Sequence, residues 1–405
     1  MFGLGKKKST EDAAPNGGGL SAAAGAEPEA ENEKQTPIVI DTPNPTESTS
    51  SDPVDKARSE LNDHLREVIN WHFSDETGCP FWLEWKQKSG WDPREEIKTY
   101  EDIIKFDHFQ DEWLRDEKNE RFVPKGMGGR PFNVFETGGT TGLPKQRVGW
   151  DDYKHDYEQF GDNLSDEFFP KGGNWIMVGP TGPRRLRLAV EHLANYRGGS
   201  CYHVDLDPRW VKRLIGRKQL DEVERYQAHV MNQAVEIIKH RDISCIFTTP
   251  KLLASIGERI SIPDHGIKGC FCGGTSMTPE YVRFLQEEVL EGKSLFVPTY
   301  GNTLMGLAMS VPEELPQNDY SVTYWAPQPR AILRIVDPEK TEVTRDYGEY
   351  GRVELTTLTK EFFMPRFLER DEAIRRKPHA KFAWDGVGDV RPFGFLEKKI
   401  IEGVY

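Results

Sequence analysis

Between residues 174 and 259 the sequence switches repeatedly between two hydrophobic periods, and this limits the fold more than any other feature. Asn174–Pro180 is a short apolar run ending in Gly-Pro, the pattern of a buried strand. Leu186–Arg197 repeats at helical spacing, and Ser200–Asp207 alternates as a strand does. Leu220–His240 is long and amphipathic, with Val223, Tyr226, Val230, Ala234, Val235 and Ile238 along one side. Ile243–Thr249 reads as another strand and Lys251–Arg259 as another helix. Strands separated by helices at this spacing predict βαβ units and a mainly parallel sheet. Past about residue 320 the pattern turns strand-rich, as at Ala331–Val336 and Gly351–Thr357. The expected class is α/β, with helix-flanked sheets and a smaller β-rich part, and no internal repeat is present.

Composition divides the chain further. Residues 1–52 are rich in Gly, Ala, Pro, Glu, Ser and Thr, and Phe2 is their only aromatic. Such a stretch buries too little apolar area to offset chain entropy, so a disordered tail is expected. The expected division is then a tail at 1–52, an α/β core at 53–320 and a β-rich subdomain at 321–405. Residues 55–71 read as an amphipathic helix through Ala57, Leu61, Leu65, Val68 and Trp71. Five of the ten Trp lie between Trp71 and Trp113, joined by Phe73, Phe81, Phe106 and Phe109, and aromatics this dense predict core.

The net charge of -13 argues against a nucleic-acid or anionic-membrane surface as partner. No run of about 18 apolar residues exists, so no membrane span is expected. Met1–Leu4 followed by Lys6, Lys7 and Lys8 lacks the apolar stretch of a secretory signal. Cys79, Cys201, Cys245, Cys270 and Cys272 show neither a CxxC pair nor a framework spacing. A reduced, cytoplasmic protein is the expectation.

The segment richest in chemistry is Phe135–Val148, FETGGTTGLPKQRV. Glycines let backbone N–H groups approach an anion, threonines add hydroxyl donors, and Lys145 adds a charge. Together they form a polyphosphate cradle. It is not a Walker A loop, because Lys145 follows Pro144, no Ser or Thr follows it, and the glycine spacing differs.

The segment resembles the phosphate loop of the adenylate-forming superfamily of acyl- and aryl-CoA synthetases, an aromatic residue followed by T-S-G-T-T-G-x-P-K-G. Here Gly138 stands for the usual Ser and Gln146 for the final Gly. Three further segments match in order. Thr249-Pro250-Lys251-Leu252-Leu253 is similar to a helix-opening T-P-x-L-L. Cys272–Met277 is similar to the Gly-Gly segment along the adenine. Tyr300-Gly301-Asn302-Thr303 is similar to Y-G-x-T-E. The resemblance implies the large N-terminal domain of an adenylate-forming enzyme. It implies that Thr137, Gly138, Gly139, Thr140, Thr141, Gly142 and Lys145 hold the phosphates of ATP. Gly273, Gly274, Thr275, Tyr300, Gly301, Asn302 and Thr303 would complete the nucleotide site, with Lys145 and Thr303 as its catalytic residues. The ribose-binding acid has two candidates. Asp389 lies in a segment similar to the family's T-G-D, and is the first choice. Asp371 closes a segment, Glu354–Asp371, that resembles phenylacetate-CoA ligase.

Two departures stand against that pattern. Leu304 replaces the Glu that binds Mg²⁺ in the family, which implies Mg²⁺ held mainly by the nucleotide and no metal ligand from the protein. Glu136 is a conceivable substitute, with a structural charge the preferred reading. The chain also ends at Tyr405, where the family continues into a mobile C-terminal domain of about a hundred residues carrying a catalytic Lys. The lid is therefore expected to be absent, and Lys398 and Lys399 are not assigned its role. Shared tracts such as Gly179–Pro183 and Val204–Pro208 make the chain similar to truncated arylcarboxylate-adenylating proteins of phenazine biosynthesis. On the acid side, Gly179 and Arg184 are the substrate candidates, because Arg binds carboxylates bidentately. Arg185 and Arg187 lie beside them, and His203 is expected to pack. The implied function is ATP-dependent adenylation of an aromatic carboxylic acid to acyl-AMP and pyrophosphate, serving a separate reductase or acyl-acceptor protein. An aryl-CoA ligase completed by another chain and a non-catalytic nucleotide or aryl-acid binder are the alternatives.

Overall fold

The strand–helix alternation folds as one six-stranded sheet with helices on both faces. The computed structural model describes residues 51–137, 143–182, 184–274 and 277–394. The expected tail therefore lies almost wholly outside the described residues. The described chain begins with α1 (Ser51–Phe73), which starts about one turn before and ends about half a turn after the expected 55–71 span, and α2 (Pro80–Ser89). Pro80 opens α2, and Gly90 at φ 77° ends it in the left-handed conformation that glycine adopts without strain. Strands β1 (Asn133–Glu136) and β2 (Gln146–Gly149) pair antiparallel, and α3 (Asp152–Asn163) follows.

The main sheet comprises β3 (Asn174–Gly179), β4 (Cys201–Asp205), β5 (Ile243–Thr248), β6 (Gly269–Gly273), β7 (Leu295–Asn302) and β8 (Gly306–Ala308). Its spatial order is β4-β3-β5-β6-β7-β8, with only β7 and β8 antiparallel. Parallel neighbours need crossovers, which α4 (Arg185–Tyr196), α5 (Pro208–Gly216), α6 (Leu220–His240) and α7 (Pro250–Gly257) supply. Asp207 starts α5 by accepting hydrogen bonds from the N–H groups of Arg209 and Trp210, with Pro208 in the first turn. Side chains alternate across a strand. Ile176 and Val178 of β3 accordingly join one core with Val211, Val230 and Leu253 from α5, α6 and α7. Trp175 and Met177 join another with Phe160 of α3 and Val190 and Leu193 of α4. A parallel sheet covered on both faces is the arrangement its nearly continuous apolar strands require.

The strand-rich end forms an antiparallel sheet of β9 (Thr323–Tyr324), β10 (Ala331–Val336), β11 (Tyr350–Leu358), β12 (Phe363–Arg376) and β13 (Gly386–Pro392), ordered β10-β11-β12-β13-β9. The aromatic-rich N-terminal segment packs on it. Phe73, Trp82 and Phe106 all lie against Phe363, with ring centroids between 5.1 and 5.8 Å. Trp82 donates to the Phe363 carbonyl at 3.2 Å, and His72 Nε2 meets the Thr359 carbonyl at 2.8 Å. These aromatics are core, as their density predicted. No helix among the described residues is long and apolar enough to cross a membrane.

Candidate active site

Ligands of open α/β sheets bind outside the carboxyl ends of the strands. At that end Gly179 closes β3, Gly273 closes β6, and Tyr300, Gly301 and Asn302 close β7. Gly273 faces Thr299 across the β6–β7 register, which puts the Gly-Gly and Tyr-Gly segments side by side. Gly274 has φ 151°, a conformation side-chain-bearing residues rarely adopt. A Cβ at Gly301 would run into the carbonyl of Gly306, so the β7–β8 turn requires glycine there.

The Gly/Thr loop bridges β1 and β2. Thr137 N–H donates to the Lys145 carbonyl at 3.0 Å, and Lys145 N–H donates to Thr137 Oγ1 at 3.0 Å. These two bonds close the base of the loop. Gly138, Gly139, Thr140, Thr141 and Gly142 lie outside the described residues, as does Thr275. The Lys145 ammonium is 3.0 Å from Asp111 Oδ1 and 4.5 Å from the face of Phe367. Thr303 Oγ1 donates to the Glu136 carbonyl at 3.1 Å, tying the β7–β8 turn to the strand that feeds the loop. Asn302 shapes the same turn. Its Oδ1 accepts from the N–H groups of Leu304 and Met305, both at 2.9 Å, and its Nδ2 donates to Glu369 Oε1 at 2.6 Å.

The two acid candidates occupy different surroundings. Asp371 on β12 accepts a hydrogen bond from Tyr300 Oη at 2.8 Å. Burial, then the nearby Glu369 charge, push its carboxyl up to about 7. Burial likewise raises Glu369. Asp389 on β13 is ion-paired with Arg376 at 3.1 Å and accepts from Ser321 Oγ at 3.3 Å. Asp371, not Asp389, is thus the acid joined to the Tyr300 segment.

Leu304 is 1% exposed, and its carbonyl accepts from Arg147 Nη1 at 2.7 Å and Thr357 Oγ1 at 3.0 Å. Glu136 is committed elsewhere: Arg209 lies 2.7 Å from its carboxylate and holds it below the usual range. Among the described residues no group of three or more His, Cys, Asp or Glu is placed to hold a metal ion. On the acid side, open space lies where a Cβ on Gly179 would point. Arg184 has φ 65° at the start of α4, and donates to Asn133 Oδ1 at 3.1 Å from the surface. Arg185 turns inward to Asp156 at 2.9 Å, and Arg187 stays outside near Glu191. His203 is half-buried on β4, and burial lowers its pKa.

The sequence did not announce Asp111, Glu369 or the buried ion network around Arg147. That network joins Arg147 to Asp152, Arg185 to Asp156 at 2.9 Å, and Arg330 to Asp156 at 2.9 Å. Arg185 and Arg330 come from segments distant from the two acids of α3, so no local pattern marks the whole network. The spacing of Asp152 and Asp156, four apart on a helix opening beside Arg147, was the one available hint.

No protein-family model and no curated protein matches the sequence. Solved structures match the fold. One is an open conformation of 2-hydroxyisobutyryl-CoA ligase in complex with 2-HIB-AMP and CoA, with TM-score 0.57, 14% identity, 78% of this chain covered and 70% of that one. Another is the same ligase in the postadenylation state in complex with R3-HIB-AMP, with TM-score 0.58, 14% identity and coverages of 83% and 68%. The thioesterification state matches with TM-score 0.58 over 64% of that chain. At this identity the likeness establishes a shared fold.

Proposed function

We propose that the chain belongs to the adenylate-forming superfamily and activates a carboxylic acid as its acyl-adenylate. One observation carries this reading: the residues such chemistry needs converge at the carboxyl ends of the strands through a series of contacts. Lys145 closes the loop on Thr137, Thr303 is bonded to Glu136 beside it, and Tyr300 is bonded to Asp371. The ligase structures of the same fold hold an acyl-AMP or acyl-AMP with CoA.

In this reading ATP is a substrate. Lys145 and the loop N–H groups bear on its phosphates, Tyr300 offers a ring face to the adenine, and Asp371 accepts the ribose hydroxyls. An oxygen of the acid attacks the α-phosphorus, a P–O bond to the acid forms, and the bond to the β-phosphate breaks to release pyrophosphate. The protein contributes position and charge neutralisation. The buried Leu304 and the lack of a ligand cluster among the described residues do not fit a protein-built metal site. Mg²⁺ would arrive on the nucleotide, and no step is assigned to it.

The acid we propose is aromatic, entering beside Gly179 with Arg184 at its rim. The product would pass to a separate reductase or acyl-acceptor protein in the cytoplasm, where the five unpaired cysteines would stay reduced. The CoA-bound state of the structural neighbour supports a second reading, an aryl-CoA ligase completed by another chain. The buried Leu304 supports a third, binding without turnover. Acid-dependent exchange of labelled pyrophosphate into ATP, run over a panel of aryl acids, tests adenylation. Exchange with no acid dependence, or none with any acid while ATP still binds, would count against it.

A further inference from the structure

The group that holds Lys145 comes from outside the loop. Asp111 lies in the segment that follows the N-terminal aromatics, and its two oxygens serve three cations. Lys145 Nζ is 3.0 Å from Oδ1, Arg115 Nη2 is 2.7 Å from Oδ2, and Arg370 Nη2 is 3.6 Å from Oδ2. Arg115 also reaches the loop itself, with Nε donating to the Leu143 carbonyl at 2.9 Å. Phe109 N–H, two residues before Asp111, donates to the Arg366 carbonyl of β12 at 3.3 Å, which fixes the segment against the sheet. Burial opposes the charge on Asp111, but Lys145 and Arg115 outweigh it and keep the carboxyl below the usual range. The acid is therefore ionised wherever the protein is folded near neutral pH.

Three cations gathered on one carboxylate form a place where a multivalent oxyanion is favoured. We propose that Asp111 is the internal counter-ion of this cationic group: it keeps Lys145, Arg115 and Arg370 together without ligand, and a polyphosphate must compete with it for Lys145. This rests on the reading of Lys145 as a phosphate-binding residue and adds a regulator of affinity to it. Two effects oppose each other when Asp111 is removed. The Lys145 stem regains freedom, which weakens binding, and the cationic group loses the carboxylate that its three members share, which strengthens it. At a few ångströms in a partly buried site the charge effect is the larger. Asp111 thus lowers the affinity for polyphosphate and favours release of the pyrophosphate product.

The test is calorimetric titration of inorganic tripolyphosphate into the full chain, the Asp111→Asn and Lys145→Ala variants, and the double variant. Asp111→Asn should bind about five-fold tighter or better, with the gain shrinking as salt is raised. Lys145→Ala should bind more weakly, and the gain from Asp111→Asn should be smaller in its background. Unchanged or weaker binding by Asp111→Asn, with Lys145→Ala still weakened, overturns the counter-ion role and leaves the phosphate role standing. Unchanged binding by Lys145→Ala overturns both. Should Asp111→Asn not fold, as judged by its melting transition, Asp111→Ser is read by the same criteria.

Discussion

The phenol of Tyr300 and the carboxyl of Asp371 are joined by a 2.8 Å hydrogen bond, Tyr300 buried at the end of β7 and Asp371 half-buried on β12. Burial and the Glu369 charge push Asp371 up to about 7. Below that pH the carboxyl carries a proton and loses acceptor capacity for vicinal hydroxyls. AMP affinity should therefore rise as pH goes from 6 to 8, and Asp371→Asn should flatten the profile. Fluorescence or calorimetric titration across this range checks it, and an unchanged profile in the variant would remove Asp371 from the ribose role. The stability sign is the reverse. An unfolded Asp titrates near 4, so the folded state retains a proton between about pH 4 and 7 that the unfolded state gives up. That contribution is full below about 4 and is lost as pH rises through 7. Asp371→Asn should then gain melting temperature relative to the unmutated chain at pH 8 more than at pH 5.

Lys145→Ala should weaken ATP and pyrophosphate binding while the fold survives. Losing one charge-assisted contact costs roughly 1.5–3 kcal/mol, on the order of ten- to a hundred-fold in affinity. The fold survives because Asp111 keeps Arg115 at 2.7 Å and Arg370 at 3.6 Å. Calorimetry with ATP and a melting curve on the same sample decide the matter. An intact variant with unchanged affinity would rule out a phosphate contact.

What the sequence made legible followed from short-range patterns. The period change between 174 and 259 marked β3, β4 and β5 and helices α4, α6 and α7 to within a few residues, because burial on both faces leaves nearly continuous apolar strands; the short α5 between β4 and α6 was not read from it. The loop base, Thr137 with Lys145, was readable because it lies within nine residues. Asp371 and Asp389 were not separable in the same way. Both are acids late in the sequence, and only long-range packing separates them: β12 against the end of β7 sets Asp371 beside Tyr300, and the pairing of β12 with β13 sets Asp389 beside Arg376. Asp111 was hidden for a similar reason: its partners Lys145 and Arg370 are 34 and 259 positions away, and no local period reports such a contact.

Leu304→Glu should destabilise the protein and give no protein-borne Mg²⁺ site. Leu304 is 1% exposed and packs in the core, with its backbone carbonyl already taken by Arg147 and Thr357. An unpaired carboxylate buried there costs several kcal/mol, beyond the apolar packing that is lost. Chemical denaturation should show a lowered midpoint. Titrating Mg²⁺ into the unmutated chain without nucleotide should give no heat above dilution. Tight, stoichiometric Mg²⁺ binding would show that another carboxylate set holds the metal.

Arg147 is the link between the loop strand and the β7–β8 turn, and its loss should affect stability and nucleotide binding together. It is 1% exposed, pairs with Asp152, donates to the carbonyls of Leu304 at 2.7 Å and Thr303 at 3.2 Å, and lies 4.7 Å over Phe362. Removing one partner of a buried pair costs about 3–5 kcal/mol when the remaining charge is uncompensated, and Asp152 would keep Arg185 at 3.9 Å and the Thr359 hydroxyl at 3.3 Å, so the loss lies at or below the lower end of that range. Arg147→Met should lose about 3 kcal/mol or less, and ATP affinity should fall because the Thr303 carbonyl loses a donor that fixes the turn. Asp152→Asn in the same background should restore part of the stability, since the stranded charge is then gone. A coupling between the two substitutions of about 0.5–3 kcal/mol is expected for residues in direct contact. Thr303→Ala, by contrast, gives up a half-buried hydroxyl and should weaken ATP binding with much less loss of stability. Strict additivity of Arg147→Met and Asp152→Asn in urea unfolding, or an Arg147→Met variant that melts early yet binds ATP as the unmutated chain does, would break the proposed link.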